Sequence, residues 1–102
     1  MTTQKLSYEA LDIAVKMLGY THTERSAVIT LKDGSRMTTT AHIFKTPEGI
    51  IFVNPDKTKM SYRFESQEEF DNQNKFQFFD SDKEMWQDFT GMDDEAWEEW
   101  NK

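Results

Sequence analysis

Apolar residues recur along this chain first at helical spacing, then at every second position, then at helical spacing again. Leu11, Ala14, Val15 and Leu18 fall on one stripe, with Tyr8 a turn earlier. Ala10, Ile13 and Met17 widen that stripe, so the pattern predicts a helix packed on a sheet. Ser7 is its expected N-cap, Glu9 suits the positive end of the helix dipole, and Gly19 is the expected stop.

The middle of the chain reads as strands. Runs 27–31 and 36–44 are rich in β-branched residues and flank Asp33-Gly34, a hairpin turn signal. Thr46-Pro47-Glu48-Gly49 predicts a second turn and "IIFVN" a third strand. Met60, Tyr62 and Phe64 alternate with Ser61 and Arg63, as a strand with one buried face requires. Four strands joined by short turns predict an antiparallel meander.

Beyond Phe64 the period returns to that of helices. Ser66-Gln67-Glu68-Glu69 resembles a helix start with Phe70 inward, and "KFQFF" reads equally as a fifth strand or as the end of that helix. Ser81 is the expected cap of a helix bearing Met85, Trp86 and Phe89. Asp93 is the expected cap of a last helix with Ala96, Trp97 and Trp100 inward. Positions 85, 89, 92, 96 and 100 keep one phase across Gly91, so one bent helix and two separate helices both remain open. The expected fold is a single α+β domain over 1–102. It comprises an N-terminal helix, a four-stranded antiparallel β-meander, and acidic C-terminal helices packed on the sheet.

Charge divides this domain in two. Residues 1–64 carry nine bases against six acids, and residues 65–102 three bases against thirteen acids. Such segregation says more about partners than the net −7 does. Cysteine is absent, which excludes disulfides and thiolate metal sites and suits a reducing cytoplasm. No stretch has the length or apolarity of a membrane span or a signal peptide, so a cytoplasmic protein without membrane contact is expected.

The acids at the C-terminus are poorly placed for helix stability. Glu84 and Asp88, Asp94 and Glu98, and Glu95 and Glu99 are like-charge pairs four residues apart. Glu98 and Glu99 also lie at the negative end of the dipole, where Lys102 can answer Glu98. Burying two indoles contributes several kcal/mol, more than the summed repulsion costs. The bland reading is a solvated face, or one cancelled internally by Lys45, Lys57, Lys59 or Arg63. The sharper reading is a recognition surface built from Glu84, Asp88, Asp94, Glu95, Glu98 and Glu99, with Trp97 or Trp100 as anchor. Carboxylates about 5–6 Å apart along a helix approach the charge density of a phosphate backbone. A DNA-mimicking inhibitor or adaptor that occupies a basic surface of a partner protein is therefore the expected class. Small size, acidity and lack of cysteine are shared with phage and mobile-element antagonists of host systems.

Other chemistry is sparse. There is no nucleophile elbow, P-loop, H-E-x-x-H or dinucleotide fingerprint, so no enzyme and no cofactor are expected. His22 and Glu24 form an H-x-E and His42 lies on the second strand, but two histidines without cysteine predict no metal site. A loop His22 and a solvent-facing His42 are expected instead. The competing class is a small-ligand protein or minor enzyme with a polar cleft near His22 or His42. A third is a structural subunit that forms homodimers. Phe44, Phe52, Tyr62 and Phe64 are expected in the core, and a −10 tail opposes direct nucleic-acid binding.

Overall fold

The computed structural model describes residues 6–56, 58 and 60–101. Its elements are α1 (Tyr8–Leu18), β1 (Thr21–Thr30), β2 (Arg36–Lys45), β3 (Ile51–Pro55), β4 (Tyr62–Phe64), α2 (Gln67–Asn72), β5 (Phe76–Phe79), α3 (Asp82–Thr90) and α4 (Asp94–Trp100). The fold is α+β, as the periodicity predicts, with one strand more than expected. "KFQFF" supplies that strand: β5 pairs antiparallel with the free edge of β1, and the sheet order is β4-β3-β2-β1-β5. The chain therefore crosses from one edge of the sheet to the other between β4 and β5, and α2 is the crossing.

β1 is also longer than its apolar run, starting at Thr21 instead of residue 27. Its polar first half is drawn into the sheet by ladder pairing with β2, from Thr21↔Lys45 to Thr30↔Arg36. The turn between them has Gly34 at φ 87, a left-handed conformation that an L side chain resists.

Alternation sorts the strand residues onto two faces, and both are covered. One face buries Ala27, Ile29, Ala41, Ile43, Ile51, Val53, Phe64 and Phe76. Tyr62 on β4 and Phe76 on β5 touch across it, with ring centroids 5.4 Å apart. A flat five-stranded sheet would hold its outer strands about 19 Å apart. The sheet is therefore curled, and this face is its concave inside. Phe70 of α2 closes the mouth, with its ring 5.5 Å from those of Phe64 and Phe78. The seam between the edges is aromatic, which suits a narrow gap filled by few residues.

The convex face carries α1 at one end and α3 at the other. Leu11 of α1 packs with Phe44 and Phe52, and Met85 of α3 is buried near β1, β2 and β5. Only one flank of α1 is used. Ala10, Ile13, Met17 and Leu18, expected to face the sheet, are exposed, because the short helix lies against the sheet through Leu11 and its neighbours alone. Met60 is exposed as well, outside β4.

The last two helices are separate. Gly91 adopts φ 76 and its amide donates to the Gln87 carbonyl, which caps α3 and ends its phase. α3 packs on the sheet and α4 packs back on α3. No residue of α4 is buried: Trp97 is half-buried and Trp100 is 57% exposed. The expectation of inward indoles is thus corrected. The sheet is already covered by α1 and α3, so Trp100 meets Trp86 of α3, with centroids 5.4 Å apart, and Trp97 meets Trp100 at 5.5 Å. Among the described residues no helix is long and apolar enough to cross a membrane.

Candidate functional site

Two regions bring polar chemistry together. The first lies on the convex face between α1 and α3. The β1–β2 register sets Glu24 directly opposite His42, and His22 two positions along the same face. His22 Nε2 lies 2.9 Å from His42 Nδ1, and Glu24 Oε1 lies 3.2 Å from that same Nδ1. The other ring nitrogen of His42, Nε2, lies 2.5 Å from Asp56 Oδ1. His22 is therefore a strand residue and His42 is 8% exposed, so neither is the loop or solvent-facing histidine expected. α1 is the reason: Tyr8, in its first turn, sets its ring edge-on to His42 at 4.8 Å and covers it. Phe44 stacks under His22 at 4.4 Å and 14°, which holds the plane of that imidazole.

A cleft of about 320 Å³ opens beside His42, lined by Tyr8, Glu9, His42, Asn54 and Asp56. Burial raises the Tyr8 hydroxyl above its ordinary value, helped by the charges of Asp12, Glu24 and Asp56. Asn54 pairs with His42 in the β2–β3 ladder and is 1% exposed, and its Nδ2 has no hydrogen-bond partner among the described residues. A buried donor left unpaired is costly, so this cleft favours a ligand that brings an acceptor. A second cleft shares Asp56 and is lined by Thr38, Thr40, Met85 and Trp86 among others.

The second region is the acidic surface of α3 and α4, and the structure splits its expected members. Glu84 is used locally: its amide donates to the Ser81 hydroxyl and its carboxylate accepts from the Asp80 amide, a reciprocal helix cap. Asp88 pairs with Arg36 at 3.5 Å, and Arg36 also lies over the Phe89 ring. Asp94 accepts from Gln87 at 2.7 Å and lies 3.3 Å from Lys83 Nζ. Lys45 and Arg63 are not the cancelling cations; Arg63 pairs with Glu65. Lys57, Lys59 and Lys102 lie outside the described residues. Glu95, Glu98 and Glu99 are exposed on α4, and among the described residues no cation pairs with Glu95 or Glu98. The continuous anionic row expected along both helices is therefore absent. Glu95 and Glu98 thus stand exposed on the helix that carries Trp97 and Trp100, whose rings form a cluster with Trp86.

The hydrogen bond from Gln87, and then Lys83, hold the Asp94 carboxyl below its ordinary 3.8. A depressed folded-state value stabilises α4 docking above that pH and loses this contribution as pH falls through the folded value. All three tryptophans lie on α3 and α4, so tryptophan emission should hold steady on acidification until below 3.8 and then shift. Asp94→Asn should remove that shift; a shift centred above 3.8 in the unaltered chain would count against the assignment.

Comparison with protein-family models, with curated protein sequences and with solved structures finds no match to this chain.

Proposed function

We propose that the protein is an intracellular, cytoplasmic inhibitor or adaptor, not a catalyst, and that it binds a basic surface of a partner protein through α4. The observation that supports this reading most is Trp100. A tryptophan 57% exposed, held in place by two neighbouring indoles and bordered by carboxylates, has the anatomy of an interface anchor with a charged rim. The partner complementary to it offers an apolar notch edged by lysine or arginine. Phosphate-row mimicry is the weaker form of the idea, because Glu84, Asp88 and Asp94 are engaged within the molecule. A phage or mobile-element antagonist of a host system fits the same patch.

The test is affinity capture from the native cells with the unaltered chain, with Trp100→Ala, and with Glu95→Lys combined with Glu98→Lys. A specific partner should be retained at about 0.1 M salt and released near 1 M, as screening shortens. Loss of the anchor should weaken capture by about 30-fold, corresponding to ~2 kcal/mol. Equal capture of that partner by both variants would refute the reading. A second reading, a small-ligand protein working through the cleft at His42, is supported by the unpaired Asn54 Nδ2.

A further inference from the structure

We infer that His22, Glu24 and His42 bind a divalent transition-metal ion, with zinc the best match to the donor set. The inference gives the second reading a chemical class and stands independently of the acidic surface of α4.

The spacing of the donors comes first. One ligand atom from each of the three residues lies within 4.8 Å of the others, and the two closest approaches are 2.9 and 3.2 Å. A tetrahedral ion with bonds of 2.0–2.1 Å separates its ligand atoms by about 3.3 Å. The side chains therefore stand within a few tenths of an ångström of coordinating distance along those two approaches. They also come from two paired strands, which makes the site more rigid than one built on loops.

The surroundings of His42 support the same assignment. Its Nδ1 faces both His22 Nε2 and Glu24 Oε1. A single proton at Nδ1 serves one of these partners at a time, whereas an ion engages all three atoms together. Its Nε2 is directed to the Asp56 carboxylate. That arrangement, a carboxylate accepting from the outer nitrogen of a ligating imidazole, fixes the tautomer and strengthens the inner nitrogen as a ligand. Phe44 and Tyr8 hold the two rings from either side.

Two imidazoles and one carboxylate suit zinc and related ions, and suit magnesium or calcium poorly, since those require oxygen ligands. Three protein ligands leave a coordination position for water or an oxygen-bearing molecule.

Calorimetric titration of the full chain with zinc should show one equivalent bound with a Kd on the order of 1 µM or tighter. A hundredfold excess of free zinc over Kd should raise the melting midpoint by on the order of 10 °C, and magnesium should not. Cobalt loading should give the visible bands of a four-coordinate site. His22→Gln and Glu24→Gln should each weaken zinc binding by at least about tenfold, and Asp56→Asn by about 10–100-fold. His42→Gln alters a buried residue, so the variants at the more exposed His22 and Glu24 carry the decision, with circular dichroism confirming their fold. Glu95→Gln with Glu98→Gln should leave zinc affinity unchanged, which separates this site from loose cation binding by the acidic patch. Absence of one-equivalent binding, or unchanged affinity in both His22→Gln and Glu24→Gln, would overturn the assignment. Neither result would bear on partner capture by Trp100.

Discussion

Phe44→Ala is expected to destabilise the protein by about 3–5 kcal/mol, measured as a fall in the urea midpoint at constant slope. Phe44 is fully buried and is shared by three structures at once. It forms a small convex-face core with Leu11 and Phe52, it meets Tyr8 edge-on at 5.9 Å, and it stacks on His22. Truncation leaves a cavity that α1 cannot refill, because that helix reaches the sheet through few side chains. Domains of this size are stable by about 5–15 kcal/mol, so the loss is a large fraction of the total. Phe44→Leu keeps most of the volume and should cost less than about 1.5 kcal/mol. It removes the flat surface under His22, however, so it should weaken zinc binding more than it weakens the fold. A Phe44→Ala chain with an unchanged midpoint would show that α1 is not anchored through this residue.

Phe76→Ala is expected to cost a similar ~3–5 kcal/mol, for a different reason. Phe76 is 4% exposed and joins the two outer strands of the sheet, touching Tyr62 across the concave face and stacking on Phe78 at 5.9 Å. Removing it opens the seam that keeps the sheet curled. β5 then keeps its ladder to β1, its contact with α3 and the Phe70–Phe78 pair, but loses its link to β4 through Tyr62. Native-state hydrogen exchange should accelerate first in β5 and α2, while the β1–β2 ladder keeps its protection. Phe78→Ala, at a half-buried position on the same seam, should cost less. Equal acceleration in every strand would mean that the seam is no separate unit.

Most local features follow from short-range physics and are legible in the chain. Ser7, Ser66, Ser81 and Asp93 each cap the helix expected of them, because a short polar side chain before an apolar stripe meets the free amides of the first turn. The turn at Asp33-Gly34 forms where glycine allows positive φ. The histidine site is hidden for a specific reason. With Leu31 opposite Ser35, counting outward from Asp33 pairs Glu24 with His42, but only if β1 reaches back past residue 27. The polar stretch from Thr21 to Arg25 has no apolar alternation to announce a strand. H-x-E on a strand also places both side chains on one face, a signal that counts only once the strand is recognised. The indoles illustrate the opposite case. Helical spacing shows that Trp97 and Trp100 share a side of α4, but not what lies opposite that side.

The residues alone determined where the chain turns, where its helices begin, and that an acidic, aromatic segment follows a weakly basic one. Caps, turns and periodicity act over a few neighbours, so no distant contact is needed to read them. Tertiary structure decided the rest: β5 beside β1, the curl that joins Tyr62 to Phe76, the meeting of His22, Glu24, His42 and Asp56, and the exposure of Trp100. Those outcomes depend on which surfaces are already covered when an element docks, and competition for a face is a property of the whole fold, not of any segment within it.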